Sequence, residues 1–230
     1  MDRAKVASTP TPDPERGRHL KKIFARIDEE VFESDEEIGR IRHDLHRDIA
    51  LRLIEAGQGM GVIMYFNEFQ GLDRNDIVLR LIEAGYTGEL VYSNIFDNFQ
   101  FSKRVALKFI EAGADWVVYQ NLDKFQDIDK EIVLRLIEAG AARAVVQNLD
   151  KFQGLDREIA LKLIEAEVGW AVTRHADKFQ GLDREIALRL IGEGGDGPVY
   201  DRAWEVFTHL KQFPGLDRET VAEILRKYSL

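Results

Sequence analysis

All three tryptophans of the chain stand in one short pattern. Trp116, Trp170 and Trp204 are each followed four residues later by a polar side chain, Gln120, Arg174 and Thr208, and five residues later by Asn121, His175 and His209. Aromatic rings supply broad, rigid contact area, while amides and imidazoles supply hydrogen bonds, so the pattern reads as a surface that grips a partner. In the competing reading Trp116 and Trp170 are wedges between neighbouring core elements, and the polar residues are merely solvated.

Reaction chemistry has thinner support. "HDLH" at 43–46 puts His43 and His46 about one helical turn apart, where they could share a metal with Asp48. No further ligand is evident, so the pair reads as helix-surface histidines. "GQGMG" at 57–61 has the first glycines of a dinucleotide loop, yet it follows a helical pattern and lacks the later glycine, which makes it a hairpin turn. No serine lies in a nucleophile elbow, no phosphate loop exists, and the carboxylates recur in columns instead of forming one singular pair. A catalytic centre needs a unique constellation. The irregular region able to supply one is the insertion at 192–202, with Asp196, Tyr200 and Asp201. No catalytic residue, metal ligand or cofactor is therefore expected.

The elements that position these residues form an internal repeat. "LDREIALRLI" at 182–191 recurs with variations, and the closing isoleucines of six copies are Ile54, Ile82, Ile110, Ile137, Ile164 and Ile191, a period of 27 to 28 residues. A degenerate copy, "LDRETVAEIL", ends at Leu225. Between the copies lies a second motif, as in "VVYQNLDKFQ" at 117–126 and "AVVQNLDKFQ" at 144–153. Both motifs read as helices. Ile159, Ala160, Leu163 and Ile164 give the first a wide apolar arc, Asp156 is placed to cap its first turn, and Gly57, Gly85, Gly113 and Gly140 suit a left-handed C-terminal cap. Glu167 breaks the glycine rule, which predicts a differently closed turn there. In the second motif Val118, Leu122 and Phe125 recur as Val145, Leu149 and Phe152 and as Val172, Ala176 and Phe179, an apolar stripe. Helices of about 11 to 13 residues in tight hairpins bury their faces only by stacking. The sequence predicts an all-α fold, an α-solenoid of about six hairpins.

Registered on the recurrent phenylalanine, the position nine residues before it holds Met60, Leu90, Trp116, Arg143, Trp170 and Trp204. Five residues before stand Met64, Asn94, Gln120, Gln147, Arg174 and Thr208; four before stand Tyr65, Ile95, Asn121, Asn148, His175 and His209. These columns vary where the apolar stripe does not. They define the predicted partner-binding strip: Tyr65, Asn94, Trp116, Gln120, Asn121, Gln147, Asn148, Trp170, Arg174, His175 and His209. In the first helices a basic column, Arg52, Arg80, Lys108, Arg135, Lys162 and Arg189, precedes a glutamate column by three residues, which reads as a solvated, ion-paired face.

"KRVALKFIEAGADW" at 103–116 resembles the second half of an ankyrin repeat, whose usual run ends in Leu-Leu-Glu-x-Gly-Ala-Asp. The two-helix unit is similar to those of HEAT and armadillo solenoids. In armadillo proteins that bind extended peptides, a tryptophan followed four residues later by asparagine lines the groove, and Trp116 with Gln120 is similar to that pair. The resemblance implies a helical repeat that displays a binding groove.

Composition bounds the rest. A chain of 230 residues with 45% hydrophobic and 32% charged residues is long enough to bury a substantial core. A net charge of −9 repels phosphate, and no basic stripe offsets it, so nucleic acid is a poor partner. With no cysteine, disulfides and thiolate sites are excluded. No apolar run approaches the roughly 18 residues of a membrane span, and the first residues lack a signal peptide's apolar stretch. The expected organisation is a disordered tail at 1–16, a helical cap at 17–44 and a repeat solenoid at 45–230 in a soluble, cytoplasmic protein. Its expected role is non-catalytic: a scaffold binding a protein or extended peptide. Modular reading of single-stranded RNA is the alternative, and an enzyme built on the insertion a more distant one.

Overall fold

The computed structural model describes residues 35–69, 72–96, 99–193 and 198–228. The tail expected at 1–16 and the helix expected at 19–34 lie outside them. Among the described residues every regular element is helical, and the sole extended pairing is an isolated parallel bridge between Phe101 and Phe125.

The first-motif helices are α1 (Asp35–Glu55), α3 (Arg74–Glu83), α5 (Lys103–Glu111), α7 (Lys130–Glu138), α9 (Arg157–Glu165), α11 (Arg184–Glu193) and α13 (Arg218–Tyr228). The second-motif helices are α2 (Gly59–Met64), α4 (Thr87–Val91), α6 (Asp115–Gln120), α8 (Ala142–Gln147), α10 (Trp170–Arg174) and α12 (Val199–Thr208). Helix α1 runs unbroken through the boundary expected between residues 44 and 45.

Local chemistry starts and stops each first helix. At α9 the Asp156 carboxylate accepts the backbone N–H groups of Glu158 and Ile159 at 3.0 and 3.2 Å, satisfying donors that the helix leaves without internal partners. At the far end of α7, Gly140 takes φ +90°, its N–H donates to Ile137 O, and that of Ala141 donates to Leu136 O, each at 2.9 Å. This paired closure consumes two orphan carbonyls and needs a left-handed residue. The turn after α9 was expected to differ and does not. Glu167 adopts φ +61° and repeats both bonds, Glu167 N–H to Ile164 O at 3.0 Å and Val168 N–H to Leu163 O at 2.9 Å.

The second element departs from the single helix of 11 to 13 residues expected. Helix α6 ends after six residues, a 3-10 turn covers Leu122–Lys124, and Phe125 is extended at φ −114°, ψ 137°. Asn121 explains the break. Its backbone N–H tightens onto Val118 O at 3.2 Å, and its side-chain amide donates at 2.9 Å to Val117 O, the carbonyl that tightening abandons. Asn148 repeats this on Ala144 O at 2.9 Å. The bend lets the phenylalanine fold inward, so Val118, Leu122, Phe125 and their counterparts at 145, 149, 152, 172, 176 and 179 are all buried.

The chain divides into two compact units between Asp97 and Asn98. In the first, α1 packs on α2 and α3, α3 on α4, and α2 on α4. In the second, the first helices pack in succession, α5 on α7, α7 on α9 and α9 on α11, each carrying its second helix. Backbone bonds close individual hairpins: Phe101 N–H to Lys124 O and Gln126 N–H to Phe101 O, both at 2.7 Å, and Gln180 N–H to Leu155 O at 2.8 Å. Near the end of α11, Arg202 Nε donates to Ile191 O at 2.9 Å and its Nη2 to Gly192 O at 3.3 Å.

Candidate functional site

In the second unit the predicted residues of the second helices occupy two register positions. Gln120, Gln147, Arg174 and Thr208 are exposed; Trp116 and Trp170 are half-buried, Arg143 is exposed and Trp204 is 49% exposed. The positions are four residues apart and share one helical face. Arg174 lies over the Trp170 indole, its guanidinium carbon 4.9 Å from the ring centroid, and Trp204 stacks on Phe207 at 5.6 Å. The tryptophans are thus neither enclosed core nor fully solvated.

The third predicted position splits by role. Asn121 and Asn148 turn back as helix caps, and His209 Nδ1 lies 2.9 Å from Glu205 O in the same geometry. His175 is half-buried at the corresponding place. Asn121, Asn148 and His209 thus bond the helix ends, and the exposed side chains one position earlier are the accessible ones.

In the first unit the register differs. Tyr65 is half-buried and Met64 is 48% exposed, as their columns require. The side chain of Asn94 lies outside the described ones, and Ile95, placed in the polar column by counting back from Phe99, is buried. Ser93 N–H bonds Leu90 O as Asn121 N–H bonds Val118 O, each at 3.2 Å, so Ser93 matches Asn121 and the 87% exposed Tyr92 matches Gln120. Extra residues between this turn and Phe99 defeat a count from the phenylalanine.

The ion pairs expected within and between repeats on the first helices include a ladder on residues outside the columns that sequence reasoning named. Lys103 Nζ reaches Asp129 at 2.7 Å and Glu131; Lys130 Nζ reaches Asp156 at 2.6 Å and Glu158; Arg157 Nε reaches Asp183 at 3.0 Å, and its Nη2 reaches Glu185. Each aspartate caps its own helix with one carboxylate oxygen and takes the preceding helix's cation with the other. The Asp156 carboxyl is pushed up by burial, but the Lys130 bond and the N–H groups of Ile159 and Glu158 outweigh this and hold it below the usual range. The signal was the recurring triplet Asp129-Lys130-Glu131, Asp156-Arg157-Glu158 and Asp183-Arg184-Glu185, a cation between two carboxylates. Pairs within helices, such as Arg135 with Glu138 at 3.3 Å, complete this face. A shallow groove of about 500 Å³ opens over it between Lys103 and Glu138, but its cations are already neutralised by neighbouring carboxylates.

The remaining candidates do not converge. His46 is buried edge-on to Phe69 with ring centroids 6.2 Å apart, whereas Asp48 is exposed, and the His43 side chain lies outside the described ones. Among the described residues no group of three histidines or carboxylates is placed to hold a metal, and no helix is long and apolar enough to cross a membrane. At the insertion Asp196 lies outside the described residues and Asp201 is exposed. No protein-family model, curated protein or solved structure matches this chain.

Proposed function

We propose that the chain is a non-catalytic α-solenoid of HEAT-like and armadillo-like helical hairpins that binds a protein or extended peptide through the outward residues of its second helices. One observation carries this reading: Trp116, Trp170 and Trp204 keep a single repeat position and present part of each ring to solvent, while the apolar stripe beside them is buried. Large aromatic surface held rigidly at a solvent face costs solubility without adding to the core, and such rings are the usual anchors of binding. The mechanism is preformed display, in which helix ends fixed by caps hold the side chains so that little ordering entropy is lost on association.

Panning a displayed library of random twelve-residue peptides against the protein tests the reading. Recovered clones should lose binding at least about tenfold to a variant combining Gln120→Ala, Gln147→Ala and Trp204→Ala. Its melting temperature should fall only slightly, because these side chains are exposed. Undiminished binding to that variant, or a library that yields no clone, overturns the reading.

A further inference from the structure

Charge on the display face is distributed unevenly, in a way that bears on what it takes. Among the eight outward residues of α6, α8, α10 and α12, namely Trp116, Gln120, Arg143, Gln147, Trp170, Arg174, Trp204 and Thr208, the charged ones are Arg143 and Arg174. Both are exposed, and neither has a carboxylate partner among the described ion pairs. Elsewhere in this unit the paired cations lie on first helices, as Lys103, Lys108, Lys130, Arg135, Arg157 and Lys162 do, or on the 3-10 turns that follow second helices, as Lys124 and Lys178 do. A chain with net charge −9 thus places two guanidinium groups outside those ion pairs beside its aromatic rings.

We infer that this face takes an acidic segment of extended polypeptide, with two carboxylates seated on Arg143 and Arg174 and flanking apolar side chains on the tryptophans. The inference rests on the peptide-binding reading above and specifies its ligand. Arg174 lies over the Trp170 indole and is exposed, so its guanidinium N–H groups remain available for bidentate contact with a carboxylate. Consecutive hairpins stand about 10 Å apart, and the arginines occupy positions four residues apart on neighbouring helices, so their heads are separated by roughly 12 Å. An extended chain rises about 3.3 Å per residue and presents every second side chain to one face, which places carboxylates four residues apart over that span. A nucleic-acid strand fits less well. It brings one phosphate per nucleotide, while the face offers cations on two of its four helices.

The test uses the full chain and four fluorescein-labelled probes, read by anisotropy. The first is a twelve-residue peptide with two glutamates four residues apart, set between leucines; two matched peptides carry lysine or glutamine at those positions, and the fourth probe is a twelve-nucleotide oligouridine. The glutamate peptide should bind, weaken several-fold between about 50 and 300 mM salt because the charges are exposed, and lose at least about tenfold on Arg143→Gln combined with Arg174→Gln. Circular dichroism of that variant should show an unchanged melt. Equal binding of the lysine or glutamine peptide, abolished by Trp204→Ala, overturns the acidic ligand and leaves peptide binding intact. Glutamate-peptide binding indifferent to the double arginine variant overturns the assignment to this site. Oligouridine binding in preference to every peptide, or no binding by any probe, overturns both the inference and the reading beneath it.

Discussion

Glu167 offers the sharpest probe of how the repeat is closed. It occupies the place of Gly57, Gly85, Gly113 and Gly140, at φ +61°, and makes the same two backbone bonds as Gly140. A side chain with a β-carbon in the left-handed region costs about 1–2 kcal/mol relative to the right-handed one. Its carboxylate also stands beyond the C-terminal, negative end of α9, an unfavourable placement worth about 0.3–1 kcal/mol when exposed. Glu167→Gly removes both penalties but makes the unfolded chain more flexible, which offsets about 0.4–1 kcal/mol. The net expectation is a gain of about 1 kcal/mol, or a rise in melting temperature of about 2–4 °C for a chain of this size. Urea denaturation read by circular dichroism should show a higher midpoint with an unchanged slope. Glu167→Gln separates the contributions by removing the charge and keeping the strain, so it should recover only the smaller part. The mirror substitution, Gly140→Glu, should lose about as much as Glu167→Gly gains, since a β-carbon at Gly140 meets nothing within 4 Å and only the backbone and charge are disturbed. A stabilised Gly140→Glu variant, or a destabilised Glu167→Gly variant, would show that these turns do not share one energetic logic.

Phe152→Ala, in the buried stripe, should cost about 3–5 kcal/mol in chemical denaturation, whereas Glu138→Ala on the charged face should stay within about 0.5 kcal/mol. Asp156→Ala should cost about 1 kcal/mol through its lost cap; Asp156→Asn keeps an oxygen for the cap while giving up the Lys130 pair, and should cost less, a difference that melting curves resolve. Asp183 is held below the usual carboxylate range by the Ile186 N–H and Arg157, Asp217 by the Thr220 N–H and hydroxyl, and Asp129 by Lys103 against the upward push of burial. Their depressed folded values mean that this stability is fully present above the unfolded value near about 4, and is lost as pH falls through the folded values. Thermal melts should therefore fall below about pH 4, modestly because these carboxylates are largely exposed, and less so in variants lacking them.

The helices and their buried faces were legible because the repeat states each rule several times. Ile159, Ala160, Leu163 and Ile164 show the apolar arc of a first helix, and every one is buried. Legibility failed where side chains act on the backbone. Asn121 and Asn148 looked like free amides in a variable column, yet each donates to a carbonyl four residues back and breaks the helix it ends. Such bonds compete with the helix ladder and leave no mark in hydrophobic periodicity. Register failed for a different reason. Counting back from Phe99 misplaced Ile95 and overlooked Tyr92, because the segment from Ser93 to Phe101 differs in length from its counterparts. Asp127, at φ +54° in the place of Gly154 and Gly181, shows the same tolerance as Glu167: a repeated backbone shape persists where the residue that favours it has been replaced.

The ladder gives a physical reason why the second-helix columns are free to vary. Lys130 joins two helices by touching Asp156, the residue that also starts the second of them, so one carboxylate couples helix initiation to the packing of its neighbour. Arg157 does the same through Asp183. Exposed pairs of this kind contribute little singly, but recurring at every step from Lys103 to Glu185 they fix the register of each first helix against the next. The buried stripe fixes the second helices on the other side. Neither device uses Gln120, Arg143, Gln147 or Arg174, all of which are exposed. A change of type at those positions leaves caps, ladder and stripe untouched, so the chemistry of the outer face can be altered hairpin by hairpin without altering the frame that holds it.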